Sequence, residues 1–309
     1  MERIIDLLWS PEFAYSIIRV TTPILFAALG AVIANTAGVA NIALEGLMLI
    51  AALVGVIVSS LTGSAALGLL AAVLASVIFS GVLAFFTLYY KTNVILGGIA
   101  LNLFASGGTV FFLYLFAQDK GTSASLASKV LPTIHLPLIK DIPILGEILS
   151  GHNLLTYIAI LSVIVVYVML KKTSFGFKLR AVGENSNAAD SVGIHVNRTK
   201  TIALLLSGAF AGLGGAFMSM GYVSWFARDM VAGRGWIAIA AEAMGQSSPI
   251  GTALTSLLFG AADAVANTLG TVGFPSELLR ILPYVATLLG LFAYAITANN
   301  KKKKKAKGV

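Results

Sequence analysis

The sequence predicts an all-α integral membrane protein with about eight to ten transmembrane helices, one of them a broken or re-entrant helix near 235–247. Two observations predict this fold class. Of the 309 residues, 58% are hydrophobic and only 11% are charged, whereas soluble domains carry about 25% charged residues. The hydrophobic residues also gather in stretches of about 20, which is the length of a helix that crosses the bilayer.

Most of the apolar stretches are long enough to span the bilayer, and one is not. The long stretches lie at 13–34, 41–61, 65–90, 93–117, 153–170, 201–222, 250–270 and 277–297. The stretch GWIAIAAEAMG (235–245) is too short to cross unaided. It therefore predicts a broken or re-entrant helix, whose ends must be covered by protein or line a cavity.

The basic residues predict the orientation. Of the 21 Lys and Arg residues, six lie in 171–200 and six in 301–307. Because cytoplasmic loops carry an excess of Lys and Arg, both segments are expected in the cytoplasm, including the basic tail 299–309. Alternation then places the 118–152 loop outside, provided that the short stretch counts as a crossing. No linker divides the chain, so we expect 1–309 to form a single transmembrane domain.

Several function classes are excluded by composition. The chain has no cysteine, which rules out disulfides, thiolate metal sites and cysteine catalysis. His135, His152 and His195 lack metal-ligand spacing, and no nucleophile motif is present, so we expect neither a catalytic site nor a metal site. No phosphate-binding G-x-x-x-x-G-K-[ST] loop is present either. Any ATP and Mg²⁺ must then bind to another polypeptide, and we expect no cofactor on this chain and no nucleic-acid partner.

One polar stretch, TSFGFKLRAVGENSNAADSVGIHV (173–196), interrupts the apolar sequence. Its first part alternates apolar and basic residues, as in a segment that lies against the inner leaflet. Asn185 or Ser186 can cap a following helix of about two turns, and Gly193 can end it in the left-handed conformation. A helix this short is unstable alone in water. The segment is therefore either docked on a partner or simply a solvated loop.

The stretch RAVGENSNAADSVGI resembles the cytoplasmic coupling segment of permease subunits of ABC importers, in the branch for ribose, branched-chain amino acids and nucleosides. GVANIALEGLM (38–48), ILGGIALNL (95–103), GRGWIAIAA (233–241) and LPYVATLL (282–289) resemble further family motifs in the same order. The resemblance implies that 173–196 is the segment gripped by an ATPase. The residues it assigns to coupling are Gly176, Arg180, Gly183, Glu184, Asn185, Ala188, Ala189 and Gly193.

The motifs that contain Glu45 and Arg234 most resemble those of the nucleoside-type permeases, a group that also includes simple-sugar permeases. Two stretches differ from that branch. Asn35-Thr36-Ala37 stands where the branch tends to have Glu-Arg-Ser, and Gln246-Ser247-Ser248 stands where it often has an aromatic–basic pair.

The resemblance implies a multi-pass protein of the cytoplasmic membrane that imports nucleosides or a related simple sugar by alternating access. It also implies three protein partners. These are a cytoplasmic ABC ATPase, a second permease subunit (a paralogue or a second copy) and an extracellular or periplasmic substrate-binding lipoprotein. The chain itself is then a transport subunit and not an enzyme.

Three carboxylates, Glu45, Glu242 and Asp263, lie in apolar stretches. A charge at the bilayer centre costs roughly 2.5–3.5 kcal/mol on insertion scales, so such residues usually face the helix bundle. They are expected either to pair with Arg234 or Arg19 and cap broken helices, or to contact a polar solute. We expect Glu45 near the cytoplasmic end of its span, beside the coupling segment.

Other residues are candidates for the substrate path. The amides of asparagine both donate and accept hydrogen bonds, as ribose hydroxyls and base edges require, although such residues also bond neighbouring helices. Aromatic side chains can stack on a base, although in spans they mostly pack or form interfacial belts. The complete set of candidates is Asn41, Glu45, Asn102, Phe104, Arg234, Trp236, Glu242 and Asn267.

A second hypothesis is an ion-coupled secondary transporter that uses Glu45, Glu242 and Asp263 as proton or sodium relays. It predicts uptake by this chain alone, which an ionophore abolishes and vanadate does not. In that case the 173–196 segment has no evident task.

Overall fold

The computed structural model describes residues 10–137, 142, 144–271 and the isolated positions 285, 288, 290 and 292. The predicted span 277–297, apart from those positions, and the basic tail 299–309 lie outside the described residues. The helices are α1 (Pro11–Thr36), α2 (Leu44–Thr62), α3 (Ala65–Ala84), α4 (Val94–Ala117), α5 (Leu145–Leu149), α6 (Leu154–Lys172), α7 (Ser174–Glu184), α8 (Ser186–Ser191), α9 (Val196–Phe217), α10 (Arg234–Met244) and α11 (Pro249–Thr271).

Helix dominates the described part of the chain, and seven of its helices are long and apolar enough to cross a membrane. These are α1, α2, α3, α4, α6, α9 and α11. Strand is limited there to β1 (Thr133–Ile134) and β2 (His152–Asn153), which pair in an antiparallel hairpin. The predicted class, an all-α integral membrane protein, is confirmed.

Helix α1 lies at the centre of the bundle. Ser10 caps it by accepting a hydrogen bond of 3.2 Å from the Phe13 N–H, and Pro11 occupies the first turn, where its missing N–H costs nothing. In the most apolar window of α1, 83% of residues are buried, against 17% in α4. Helices α3, α4 and α6 therefore form the periphery, with α1 in the core.

Helix α9 packs against the core through small residues. A Cβ at Gly208 would lie 2.5 Å from the Ser80 Cβ, and one at Gly214 would lie 3.0 Å from the Pro23 carbonyl oxygen. A Cβ at Gly215 would overlap the carbonyl of Met48. Because these glycines have no side chain, α9 approaches α1, α2 and α3 at backbone distance.

Two ends of the bundle are distinguished by their loops. Helices α7 and α8 connect α6 to α9 at one end, called here the segment end. The 118–152 loop lies at the other, called the loop end. There it packs on the connection that follows α9, since Ser123 donates a backbone hydrogen bond to Phe226 and Leu131 donates one to Met220, both of 2.8 Å.

Two helices begin in the interior of the bundle. Residues 37–43 lead back inward from the end of α1, so that the Asn41 side chain reaches Ser207, midway along α9. Helix α10 has 11 residues and is about 16 Å long, roughly half the hydrocarbon thickness. A non-helical segment, 223–233, leads to it from the loop end. The short stretch is thus the helical half of a broken crossing, as predicted.

Candidate functional site

The 173–196 segment folds as two consecutive helices. The Thr173 hydroxyl caps α7 by accepting the Gly176 N–H at 3.2 Å. The Asn185 side-chain oxygen caps α8 by accepting the N–H groups of Asn187 (3.1 Å) and Ala188 (3.0 Å). Gly193 follows α8 with φ of +84°, so the predicted left-handed end is confirmed. The alternating first part forms helix α7, because its apolar residues also recur at helical spacing and bury one face.

Two glycines hold α7 against the membrane helices. A Cβ at Gly176 would overlap the carbonyl oxygen of Met169 in α6. A Cβ at Gly183 would overlap the carbonyl oxygen of Thr36, the last residue of α1. A Cβ on Gly38, which has φ of +70°, would lie 3.1 Å from the Gly183 Cα. The segment is therefore joined to the ends of both α6 and α1.

The other residues assigned to coupling divide into packed and exposed groups. Ala189 is buried, whereas Glu184, Ala188 and Gly193 are exposed. The Arg180 guanidinium stacks over the Phe177 ring at 4.7 Å. The structure thus gives α8 a buried face toward the bundle and an open face, which also carries Asn187, Asp190, Ser191 and Val192.

Glu45 lies in the interior and caps α10. Its carboxylate accepts hydrogen bonds from the N–H groups of Gly233 (2.8 Å) and Gly235 (2.7 Å). Glu45 also occupies the first turn of α2, so its negative charge lies at the N-terminal ends of two helices, where the macrodipoles favour it. The expected position beside the coupling segment is wrong, because residues 37–43 turn inward before α2 begins.

Arg234 and Asp263 form an ion pair of 2.8 Å, with side chains 14% and 13% exposed. Arg234 also donates a hydrogen bond of 3.2 Å to the Val231 carbonyl. The pair therefore joins the start of α10 to α11. Arg19 contacts no acidic residue among its described bonds. It donates to the Tyr222 carbonyl at 2.5 Å and stacks over that ring.

Asn41 and Asn102 both hold the inward-leading segment in place. Asn41 donates to the Ser207 hydroxyl at 2.9 Å and accepts from the Ala43 N–H at 3.1 Å. Asn102 donates to the Ile42 carbonyl at 2.9 Å and accepts from the Gly46 N–H at 2.8 Å. Asn41 thus ties this segment to α9 and to its own next turn, and Asn102 ties α4 to the segment and to the start of α2.

Glu242 lies at the other end of α10, buried at 5% exposure. It accepts hydrogen bonds from the side chains of Asn35 (2.8 Å) and Ser247 (2.6 Å). Asn35 and Ser247 belong to the two stretches that differ from the nucleoside branch, and they also contact each other at 3.0 Å. The two stretches that differ from the nucleoside branch therefore contact each other beside Thr36, next to the 173–196 segment.

The remaining candidates are exposed on the surface of the chain. Phe104 is 53% exposed and Trp236 is 44% exposed. Asn267 is also exposed, on α11. Among the described contacts, none of these three side chains bonds to Glu45 or Arg234. Among the described residues, no group of three or more His, Asp or Glu side chains is placed to hold a metal ion.

Sequence reasoning missed four polar residues that the structure brings to these sites. Asn35 and Ser207 are partners of Glu242 and Asn41. Ser106 and Asp229 contact each other on the surface of the bundle. Single serine and asparagine residues carry no periodic signal, so their partners follow only from the fold.

Comparison with known proteins agrees with this architecture. The profile of the family described as "Branched-chain amino acid transport system / permease component" matches residues 13–291. No solved structure matches the chain. Curated relatives do match, and several of them are similar to this chain over most of their own length.

The nucleoside ABC transporter permease protein NupC of Lactococcus lactis subsp. cremoris is 34% identical over 282 residues, or 88% of each chain. The guanosine ABC transporter permease protein NupQ of Bacillus subtilis is 33% identical over 294 residues, or 91% of each chain. The putative glucose ABC transporter permease protein TsgC13 of Haloferax volcanii is 32% identical over 248 residues, which cover 80% of this chain and 74% of the relative. With seven apolar helices in its described part and a profile match over nearly its whole length, this chain belongs to the family of ABC importer permease components.

Proposed function

We propose that this protein is the membrane-spanning subunit of an ATP-driven importer for nucleosides or a related simple sugar, driven by a separate ATPase that docks on the 173–196 segment. Family membership supports the transport role, and relatives named as nucleoside, guanosine and glucose permeases support the solute class. The observation that carries the coupling role is the junction of this segment with two membrane helices. Because α7 packs at backbone distance on both helices, a displacement of α7 moves the ends of α6 and α1.

The open face of α8 supports the same role. Asn185 caps α8, and Ala189 packs it toward the bundle, so its exposed residues keep a fixed position. Ala188 carries only a methyl group on that face, which lets a partner approach closely. A solvated loop has no need of such a cap or of the glycines that hold α7.

The orientation and the partners complete the proposal. Lys171, Lys172 and Lys178 support a cytoplasmic position of the segment end, since cytoplasmic loops carry an excess of Lys and Arg, and the basic tail 299–309 is expected on the same side. The loop end then faces the external substrate-binding lipoprotein. A second permease subunit, either a paralogue or another copy, covers part of the apolar surface, and ATP with Mg²⁺ binds to the ATPase.

Co-purification with the ATPase tests the docking. The chain is expressed together with an ABC ATPase subunit of the same organism, solubilised in mild detergent and captured by a tag. We expect the ATPase to be retained by wild type and lost with Ala188→Glu, which places a charge on the exposed face of α8. Thr62→Glu, exposed at the loop end, is the matched control and retains the ATPase. Equal retention by all three proteins contradicts docking on α8.

A further inference from the structure

A charged turn lies on the surface of the protein, level with the middle of the bundle. Asp229 and Arg228 form an ion pair of 3.5 Å, and their side chains are 55% and 64% exposed. The hydroxyl of Ser106 donates a hydrogen bond of 3.2 Å to Asp229. Ser106 is twelve residues from the start of α4 and eleven from its end. The Asp229 carboxylate therefore lies level with the middle of α4, while the Arg228 N–H bonds the Gly121 carbonyl of the 118–152 loop at 2.8 Å.

This face of the protein is not suited to lipid. A charge exposed to hydrocarbon is strongly unfavourable, so intramembrane charges face water or protein. The exposed residues of α3 and α6 show what a lipid-facing surface looks like here, because they are large and aliphatic. They include Leu70, Leu74 and Ile78 on α3, and Ile160, Ile164 and Val168 on α6.

The exposed face of α10 continues from the charged turn. Trp236 and Ala243 are exposed on α10, seven positions apart on one helix face, and Ala232 and Gln246 just outside the helix are exposed as well. Gly235, Ile237, Ala238, Ala241 and Glu242 form the buried face. In contrast to α3 and α6, the exposed face carries small or amphipathic residues. It runs from the side of α10 next to the charged turn to the segment end.

We propose that Asp229, Arg228, Ser106 and Trp236 form a solute-binding point on the translocation path, and that the Asp229 carboxylate binds a vicinal diol of a sugar ring. The inference rests on the proposed function and deepens it. A carboxylate offers about four acceptor positions, of which the Ser106 hydroxyl occupies one, and the Arg228 guanidinium lies 3.5 Å from the other oxygen. The remaining positions match the two adjacent hydroxyls of a sugar, which donate in parallel.

The neighbouring residues suit the rest of such a solute. The Arg228 guanidinium donates several hydrogen bonds in one plane, which fits the carbonyl oxygens and ring nitrogens of a base. The Trp236 indole offers a flat apolar face on which a base or a sugar ring stacks. The shared chemistry is the vicinal diol, whether it belongs to the ribose of a nucleoside or to a hexose.

Uptake by the complete importer tests the proposal. Wild type, Asp229→Asn and the control Glu12→Gln, an exposed acid at the start of α1, are compared at saturating uridine and at saturating 2′,3′-dideoxyuridine. Loss of a charge-assisted contact to the diol is expected to lower uridine uptake in Asp229→Asn about tenfold. Uptake of the analogue without the diol is expected to change less than about twofold, and Glu12→Gln is expected to alter neither.

A second pair of solutes and two conservative substitutions extend the test. If wild type carries glucose and not uridine, the pair compared is glucose and 3-deoxyglucose, which identifies the source of the diol. Asp229→Glu, which keeps a carboxylate, is expected to retain most uptake. Trp236→Phe, which keeps a stacking ring, is expected to retain more uptake than Trp236→Ala.

The result that overturns the proposal is also defined. If Asp229→Asn loses uptake of both solutes equally at normal membrane abundance, or loses neither, then Asp229 does not bind the diol. If wild type carries neither a nucleoside nor a sugar in the presence of its ATPase, then the proposed function itself is wrong. The two failures are therefore distinguishable.

Discussion

The carboxylate of Glu45 accepts the N–H groups of Gly233 and Gly235, which no other described group accepts. We expect Glu45→Ala to destabilise the protein by roughly 2 to 4 kcal/mol, because two interior N–H groups lose a charged acceptor. Glu45→Gln keeps one acceptor oxygen, so about half of that loss is expected. The apparent melting temperature in detergent measures both effects.

The exposed acid Glu12 provides the control for this prediction. Glu12→Ala removes a carboxylate from the first turn of α1, where solvent replaces it at little cost. If Glu45→Ala and Glu12→Ala have the same apparent melting temperature, the cap of α10 contributes nothing to stability.

Gly176 and Gly183 provide a second prediction at the scale of the residue. A Cβ at either position overlaps a backbone carbonyl oxygen, of Met169 or Thr36. Alanine at either site therefore forces α7 away from α6 or α1, and we expect less folded protein in the membrane and a lower melting temperature. Gly107→Ala is the matched control, since a Cβ there meets nothing within 4 Å and alanine favours a helix by up to about 1 kcal/mol. Similar behaviour of all three variants contradicts the close packing.

At the scale of the element, α8 depends on its cap. Asn185→Ala removes the acceptor of the Asn187 and Ala188 N–H groups, which costs about 1 kcal/mol, a large loss for a helix of six residues. We expect faster amide hydrogen exchange over 186–192 and weaker coupling of ATP hydrolysis to uptake. Asn185→Asp keeps the cap and is expected to behave as wild type, as is Asn197→Ala on the exposed face of α9. Unchanged exchange in Asn185→Ala shows that contacts with the bundle hold α8 instead.

The hairpin at the loop end carries a pH-sensitive element. His152 is 2% exposed and stacks on Tyr15 at 4.0 Å. Burial lowers the pKa of His152, and the nearby charge of Arg19 lowers it further, while its hydrogen bond to the Ile148 carbonyl opposes both effects. Since the folded pKa lies below the unfolded value of about 6.5, the unfolded state binds the proton first as the pH falls. His152 therefore leaves the free energy of unfolding unchanged above about pH 6.5 and lowers it progressively below that pH.

Thermal unfolding in detergent at pH 7.5 and pH 5 measures this effect. We expect wild type to lose more stability between these pH values than His152→Gln does. His135→Gln, which changes an exposed histidine of the same loop, is expected to keep the wild-type dependence. An unchanged dependence in His152→Gln shows that other groups cause the acid sensitivity.

At the scale of the whole molecule, an ATP-driven importer and an ion-coupled carrier require different roles of the three buried carboxylates. The carboxylates proposed as ion relays form structural contacts, since Glu45 caps α10, Asp263 pairs with Arg234 and Glu242 binds Asn35 and Ser247. We therefore expect proteoliposomes with the complete importer to take up solute only with internal ATP. Vanadate is expected to stop that uptake and a proton ionophore to leave it unchanged. Uptake by this chain alone, abolished by the ionophore, supports the carrier instead.

The relation of α2 to the half-length helix α10 also belongs to this scale. Helix α2 runs from the interior to the loop end, whereas α10 runs from the interior to the segment end. Their N-terminal ends meet, since a Cβ at Gly235 would lie 2.5 Å from the Glu45 nitrogen. Discontinuous helices that meet inside a bundle are a recurring feature of transporters. Here one carboxylate serves both N-terminal ends.

The sequence by itself determined the fold class, most of the spans within a few residues, the broken crossing at 235–247, a cap of α8 at Asn185 or Ser186 and its left-handed end at Gly193. These features are local, because hydrophobicity over about 20 residues places a helix in the bilayer and a cap acts within one turn. The tertiary structure alone decided which polar groups meet. Asn35 and Glu242 are 207 positions apart, and Glu45 and Gly233 are 188 apart. No local pattern records such pairs, since they arise only when separate helices pack and each buried polar group must find a partner.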